Sequence, residues 1–510
     1  MRGPITLIKS FWKSRNLFKK RFLVVEDIIR RQIYGEQIMF HQMIKKSAES
    51  ARTGNNRLSD GKFHCTYREL PEIFTVLDAY FRASSVSGAQ CLALVCGNSL
   101  PEAILLLWML YKKKDLLILP RGGITINLPG FCRHKVSVDL NAPDLELSKP
   151  GTYLRIESNP GYKVETVIPG SGGSIFLKTS GSTAAPKLVM HAHEKFIRNA
   201  LHCIERFEIV PADRLLIPVP VYHMYGLGAG FIPGIIAGAA IELLEKTNIV
   251  TYLDREKQTG PTVSFLTPVL CEMLTRTRKS TYGYRLVVTA GDRITPSTFE
   301  QFETRFGKLV NLYGSTELGA IATSRLADPL SLRSQGIIET MPGVVIDFIG
   351  SVAEKDPGKV SEIRCRHEYG FDAYVDHQGR QTGPETAKLF RTKDLGKPMA
   401  PNRFQVAGRT GNSVNRSGIL VAFAEVESLM EQGIEEIAHA VVTVSADDNS
   451  RGKKMIAWCQ LKPHTTAGNK EIRSRCFNIM LRHMIPDEIN IIPEIPRLPN
   501  GKFDRKKLAG

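Results

Sequence analysis

Residues 91–120, CLALVCGNSLPEAILLLWMLYKKKDLLILP, decide how the chain begins to fold. The run from Cys91 to Cys96 is apolar without polar alternation, as in a strand buried on both faces, and it stops at a turn marked by Gly97 and Asn98. An apolar helical stretch follows, then a second apolar strand that ends at Pro120. Strand, helix and strand in this order open an α/β fold.

The pattern extends in both directions. Upstream, TYRELPEIFTVLDAYF at 66–81 has helical spacing. Downstream, IFLKTS, LLIPVP, GAAIELL, VSFLTPV, YRLVVTA and KLVNLYG read as strands, several of them ending where polar residues begin. That is where an open α/β sheet places its ligand chemistry. Between 340 and 400 the texture changes to short strands, VVIDFI and KVSEIRCR among them, which predict a small antiparallel or barrel-like subdomain. After Gly408 a new unit begins: a helix over 422–432 (AFAEVESLMEQ), strands AHAVVTV and KMIAWCQL, a helix over 469–484, and the turn-rich LPNGKFDRKKL. The expected organisation is a basic amino-terminal extension (1–50), a large α/β domain with several subdomains, parallel-rich sheets and a small β subdomain (51–409), and a small mobile α+β carboxy-terminal domain (410–510).

Composition limits the function classes. With 510 residues, 43% hydrophobic and 23% charged, the chain suits a globular protein of two or three units. A net charge of +17 favours phosphates, acidic proteins or anionic surfaces. Aromatic-interleaved basic stripes, zinc-finger spacing and helix-turn-helix patterns are missing, which argues against nucleic acid as partner. Nine scattered cysteines without a close pair fit a reducing cytoplasm. The amino terminus carries Lys9, Lys13, Lys19, Lys20 and Arg21 among interrupted apolar runs too short to span a bilayer. It reads as a helix docked on its own domain, with peripheral membrane contact as the alternative.

The strand Ile175 to Lys178 leads directly into TSGSTAAPK at 179–187. Hydroxyls of Thr179, Ser180, Ser182 and Thr183, the small Gly181 and the cation of Lys187 suit phosphate oxygens. This is not the GxxxxGK[ST] loop. Here the chain resembles the adenylate-forming (AMP-binding) superfamily, which includes acyl- and aryl-CoA synthetases, luciferases and peptide-synthetase adenylation domains. The family loop TSGSTGxPKG is matched except that Ala184 and Leu188 replace two glycines.

Further signatures follow in the family order over residues 60–510: VPVYHMYGLGAG (219–230), PTVSFLTP (261–268), TAGD (289–292), NLYGSTE (311–317), FRTKDLG (390–396), AGRTGNSVNRSG (407–418) and PNGKFDRKKL (499–508). The resemblance implies roles for individual residues. Tyr313 and Gly314 would face adenine, Thr316 the adenylate phosphate, Glu317 a magnesium ion, and Asp394 with Arg409 the ribose. Tyr222, His223, Tyr225, Gly226, Gly228, Thr289 and Gly291 would line the acid pocket. Gly411 would be the hinge, and Lys502, carried by the small domain, would enter the site during adenylation alongside catalytic Thr183 and Glu317. Lys393, Gly411 and Asn415 depart from the family pattern, and Arg505 is expected to be structural or partner-facing.

The implied reaction joins a carboxylic acid to ATP with Mg²⁺, releasing pyrophosphate, and then passes the acyl group to the thiol of CoA. A stand-alone phosphopantetheinyl carrier protein is the alternative acceptor, and a degenerate adenylate-binding regulatory protein is the alternative class. The acid segment lacks the aspartate that holds an α-amine in amino-acid-adenylating relatives, which favours an aryl or aliphatic acid.

Overall fold

A helix that is apolar on every face is stable only if it is covered on every face. The computed structural model describes residues 40–50, 53–84, 86, 91–121, 128–163, 173–178, 188–245, 247–349, 360–383, 389–416, 419–449, 452–498 and 501–509. In it the opening stretch forms strand β1 (Cys91–Cys96), helix α1 (Leu100–Tyr111) and strand β2 (Leu116–Pro120). Every residue of α1 from Leu100 to Leu110 is buried. Part of its cover is the preceding helix Leu70–Ala83, whose Phe81 ring stacks on Trp108 at 4.4 Å and whose Asp78 accepts the Trp108 indole N–H at 2.9 Å.

β1 and β2 pair in parallel, and β2 pairs in parallel with β3 (Ser174–Lys178), which turns antiparallel to β4 (Leu188–Ala192). With four flanking strands they make the first sheet, eight strands among the described residues. Helix α2 (His193–Phe207) leads to the second sheet. Its parallel block comprises β5 (Arg214–Ile217), β6 (Ala240–Leu243), β7 (Val263–Leu266), β8 (Tyr284–Ala290) and β9 (Gly307–Ser315), in the spatial order β6-β5-β7-β8-β9. Helix α3 (Pro268–Thr277) follows β7 after Thr267, whose hydroxyl caps the helix by accepting the Leu270 N–H.

Beyond β9 the sheet becomes antiparallel through β10 (Gly319–Thr323) and Ile337–Thr340, and continues into β11 (Phe390–Ala400) and β12 (Arg403–Arg409). The short strands expected between 340 and 400 are therefore antiparallel but extend the large sheet instead of closing into a barrel. One core runs from Met43 and Ile44 to Phe404. The helix Phe40–Glu49 belongs to it, so the end of the expected extension packs on the large domain. Residues 1–39, with their basic cluster, lie outside the described residues.

A second core gathers residues between Val414 and Ile489. It joins α4 (Phe423–Gly433), the antiparallel pair β13 (Ile437–Asn449) and β14 (Gly452–Leu461), α5 (Asn469–Ile479) and β15 (Glu488–Ile491), which is parallel to β14. The helix expected over 469–484 stops at Ile479 because Met480 turns extended (φ −145°, ψ 159°), which lets Met484 and Ile485 fold back into this core. Among the described residues no helix is long and apolar enough to cross a membrane, and all nine cysteines are free and buried.

Candidate active site

The parallel strands β5, β7, β8 and β9 end on one edge, and this edge collects most of the residues singled out in the sequence. Pro218 to Tyr225 follow β5, Thr267 follows β7, Gly291 follows β8, and Tyr313 to Ser315 close β9. Thr289 and Asn311 are register partners on β8 and β9.

The β9–β10 hairpin carries YGSTE and is fixed from below. Ser315 Oγ accepts the Leu318 N–H at 3.1 Å, closing the turn. Asn199 of α2 holds the turn and the start of β10, donating to the Leu318 carbonyl and accepting from the Ala320 N–H, each at 3.2 Å. Gly319 has φ +65°, and a Cβ there would fall 2.6 Å from Asn199, so glycine is required twice over. His191, on β4, donates its Nε2 proton to the Thr316 carbonyl at 2.7 Å, which fixes its tautomer. Burial pushes its pKa down to about 4, so it is neutral here.

Tyr313, Asp394 and Arg409 form one bonded cluster. The Tyr313 hydroxyl donates to Asp394 Oδ2 at 2.7 Å, and Arg409 Nε donates to Oδ1 at 2.8 Å. Asp394 and Arg409 face each other across β11 and β12. The Tyr313 ring meets Phe404 edge-on at 6.0 Å, and burial together with the Asp394 charge raises its pKa well above the ordinary phenol range. Lys393, at the family glycine position, sits at φ 60° with an exposed side chain, a backbone region costly for a residue bearing a Cβ. Gly314 allows the hairpin to close, since a Cβ would lie 2.4 Å from the Gly319 carbonyl oxygen.

Glu317 Oε1 accepts the Tyr374 hydroxyl at 2.9 Å, and the Glu317 carbonyl accepts the Phe371 N–H at 2.7 Å. One oriented carboxylate fits Mg²⁺ held mostly by phosphate oxygens and water, since this ion uses only one or two protein carboxylates in such sites.

In the segment after β5, the Tyr222 and His223 rings lie 4.5 Å apart. His223 is open to solvent yet set among protein atoms that hold its imidazole below the usual pKa. Tyr225 opens a π-helical turn, Tyr225–Phe231, and its hydroxyl donates into the sheet, to the Val288 carbonyl at 2.7 Å and the Leu266 carbonyl at 3.1 Å. Its polar end is thus a strut. Gly226 is needed for packing, because a Cβ would lie 2.2 Å from the Pro220 carbonyl oxygen, and a Cβ on Gly228 would reach Met224 Sδ at 3.0 Å. Thr289 is 1% exposed, whereas Gly291, at φ +95°, is open.

Thr179, Ser180, Gly181, Ser182, Thr183, Ala184 and Lys187 lie outside the described residues. Leu188 is strand β4 itself, paired with Lys178 and buried in a local core, so it belongs to the sheet and not to the loop. Gly411 lies in a 3₁₀ turn, Thr410–Asn412, at a φ open to any residue and with nothing within 4 Å of an added Cβ. The Asn415 backbone pairs with Leu420.

The Lys502 turn is closed by the Gly501 N–H to the Leu498 carbonyl (2.8 Å) and the Leu498 N–H to the Lys502 carbonyl (2.7 Å). Gly501 packs against Val269 at the start of α3, where an added Cβ would come within 3.1 Å. Nearby, Glu272 of α3 meets His439 at 3.0 Å and Arg497 at 3.7 Å, and Arg293 meets Glu431 at 3.0 Å. The small domain therefore presents its Lys502 turn beside the end of β7. Arg505 is structural, bonded to Glu427 (3.0 Å) and the Val442 carbonyl (2.8 Å). Sequence reading missed His191, Asn199, Tyr374 and Glu272, none of which falls within a signature.

Comparison with known proteins agrees with this arrangement. The family profile described as AMP-binding enzyme matches residues 173–374. The sulfoacetate–CoA ligase of Cupriavidus necator is 26% identical over 343 residues, 66% of this chain and 66% of the relative. The indoleacetate–CoA ligase of Aromatoleum aromaticum is 26% identical over 329 residues, 64% of each. Each alignment spans just under two thirds of the relative. The crystal structure of ATP-bound MatB from Rhodopseudomonas palustris superposes with a TM-score of 0.74 at 17% identity, covering 92% of this chain and 98% of that one. The family match spans the hairpin that carries YGSTE, the relatives align over most of the chain and the fold agrees almost end to end: over residues 173–374 this chain matches the AMP-binding enzymes, and its fold is the one that the solved structure has.

Proposed function

We propose that this protein activates a carboxylic acid with ATP and then transfers the acyl group to the thiol of CoA. In the first step a carboxylate oxygen attacks the α-phosphorus, an O–P bond forms, and the bond to the departing pyrophosphate breaks. In the second, the thiol sulfur attacks the acyl carbon, AMP leaves, and the thiol proton passes to solvent. The observation that carries this reading is the bonded cluster of Tyr313, Asp394 and Arg409 on the same sheet edge as Thr316, Glu317 and the Lys502 turn.

Tyr313 supplies a flat wall for adenine, and Asp394, oriented by Arg409, accepts the ribose hydroxyls. Thr179, Ser180, Gly181, Ser182, Thr183 and Lys187 hold the β- and γ-phosphates. Lys502 places its ammonium where charge builds on the carboxylate and α-phosphate oxygens. Glu317 would hold magnesium, which would supply Lewis-acid stabilisation of the phosphate oxygens. Tyr222, His223, Gly228, Thr289 and Gly291 bound the acid, which is aryl or aliphatic. Gly411 lies at the pivot between the domain expected over 51–409 and that over 410–510. Free, buried cysteines support a cytoplasmic setting.

The chain's relatives named above are CoA ligases, which favours CoA as acceptor. A holo-carrier protein is the second reading. The small domain exposes Phe477 (54%) and Leu481 (66%) beside Arg473 and Arg482, an apolar patch with a basic rim suited to an acidic carrier. Pyrophosphate release measured with aryl, aliphatic and amino acids, followed by mass detection of thioester on CoA or holo-carrier, tests both steps. Silence across the acid panel would leave an adenylate-binding regulator as the better account.

A further inference from the structure

We propose that Asn98, remote in sequence from every signature, is the positioning residue for the acid-binding segment, so that acid selection is governed partly by the first sheet. This inference rests on the function proposed above. The segment Pro218–Tyr225 leaves β5 with prolines at 218 and 220, which have no N–H to offer a neighbouring strand. β5 therefore ends at Ile217, and the carbonyls that follow need partners from elsewhere.

Asn98, in the turn between β1 and α1, partners that of Val219 and adds to the bond that the Ile217 carbonyl already accepts from the Leu244 N–H at 3.2 Å. Its Nδ2 donates to the carbonyls of Val219 (3.0 Å), Ile217 (3.3 Å) and Leu244 (3.3 Å), and its Oδ1 accepts the Val221 N–H at 2.7 Å. The side chain is 4% exposed. Thr247 takes the intervening carbonyl, its hydroxyl donating to Pro218 at 2.6 Å. The Pro220 carbonyl accepts the His223 N–H at 3.1 Å. Consecutive carbonyls from Ile217 to Pro220 are thus all engaged, two of them by one amide.

The turn that bears Asn98 is itself held. Glu102 accepts the Gly97 N–H at 2.9 Å and the Ser99 hydroxyl at 2.6 Å, and lies 3.5 Å from Arg121, which also meets Glu245 at 2.9 Å. At the other end a Cβ on Gly226 would lie 2.2 Å from the Pro220 carbonyl oxygen, so the strap and the π-helical turn pack directly on each other. Asn98 therefore sets the height of Tyr222 and His223 over the sheet edge without touching the acid, and the Tyr313 cluster is not part of this network.

The test uses the full chain with Asn98→Ala, Asn98→Asp and Thr247→Val. Expected are an acid KM raised about tenfold in Asn98→Ala, the equivalent of one good hydrogen bond, with ATP KM within twofold of the parent. The preference between two acids differing by one methylene should change, Asn98→Asp should be worse because a carboxylate then faces three carbonyls, and Thr247→Val should move the same way by less. Hydrogen exchange supplies a readout independent of activity: amides of 218–228 should lose protection while those of 311–318 keep it. Acid and ATP parameters falling together, or protection lost equally in both segments, would overturn the proposal in favour of a merely structural asparagine. Selective loss at 218–228 in a parent without acid-dependent pyrophosphate release would retain the positioning role and sink the proposed function instead. If Asn98 variants do not fold, unchanged acid KM and unchanged exchange at 218–228 in Thr247→Val overturn it.

Discussion

The Tyr313 cluster and the Lys502 turn are built in opposite ways. Tyr313, Asp394 and Arg409 belong to one sheet, Asp394 is 5% exposed, and the three are already joined by hydrogen bonds of 2.7 and 2.8 Å. The Lys502 turn hangs from a second core and meets the large domain through charged side chains, Glu272 with His439 and Arg497, and Arg293 with Glu431. Those pairs are part-buried, with side-chain exposures between 5 and 30%, but lie between two separate cores, so that separation returns each group to water, whereas parting Tyr313 from Asp394 within one sheet strands buried polar groups at ~1–3 kcal/mol each. The difference teaches where motion is affordable: on the function proposed above, base and sugar would be met by a rigid platform, and the cation would be carried on a docking surface that can be exchanged for water.

Acid should separate the two regions most strongly. His191, His193 and His367 are buried in the large domain, and burial pushes each down to about 4. In an unfolded chain such groups titrate near 6.5, so their contribution is complete above about pH 6.5 and is lost as pH falls toward 4, at up to ~1.4 kcal/mol per pH unit for each histidine. His191 and His367 both bond to the hairpin, at the Thr316 and Leu318 carbonyls. Hydrogen exchange between pH 7 and 4.5, corrected for intrinsic rates, should show 311–323 losing protection before 437–461. Simultaneous loss would remove the contrast.

Next in size is Lys502→Ala. Taking away a charge that acts on the transition state should lower acid-dependent pyrophosphate release by about 10²–10³-fold. The melting temperature should hold, since Lys502 is exposed. A variant with the parent rate would show that the turn beside Val269 has no part in the chemistry.

Asp394→Asn should be milder. The amide oxygen can still accept from Tyr313, but the charge facing Arg409 is gone, and the ATP KM should rise about tenfold, as for one charge-assisted hydrogen bond. The acid KM should stay near the parent value, and a rise in acid KM alone would mean that this cluster belongs to the other half of the site.

What could be read from sequence follows from the range of the interactions. β1, α1 and β2 were legible because local apolar runs dictate them, and NLYGSTE because its residue types suit a nucleotide in one short string. The Asn98 bonds were not, spanning 119 to 146 residues between a side chain and backbone carbonyls, which leave no periodicity to detect. His191 acts across 125 residues in the same way. The end of α5 was misjudged because the apolar residues after Ile479 continue a plausible helical pattern while the core calls Met484 and Ile485 back. Leu188 looked like a loop substitution because the motif runs on past the point where β4 begins.

The smallest effect concerns Lys393, where the rigid platform works against its own backbone. Lys393 occupies φ 60° with its side chain in solvent, so replacing it removes no packing. Relieving a left-handed conformation is worth ~1–2 kcal/mol, and the extra freedom of glycine in the unfolded chain takes back about 0.4–1 kcal/mol. Lys393→Gly should therefore gain roughly 0.5–1 kcal/mol, read as a higher denaturant midpoint at unchanged slope. ATP KM should not move, because Asp394 keeps its bonds to Tyr313 and Arg409. A lower midpoint would mean that the lysine itself contributes to the platform through its ammonium, and that the substitution from the family glycine was compensated rather than merely tolerated.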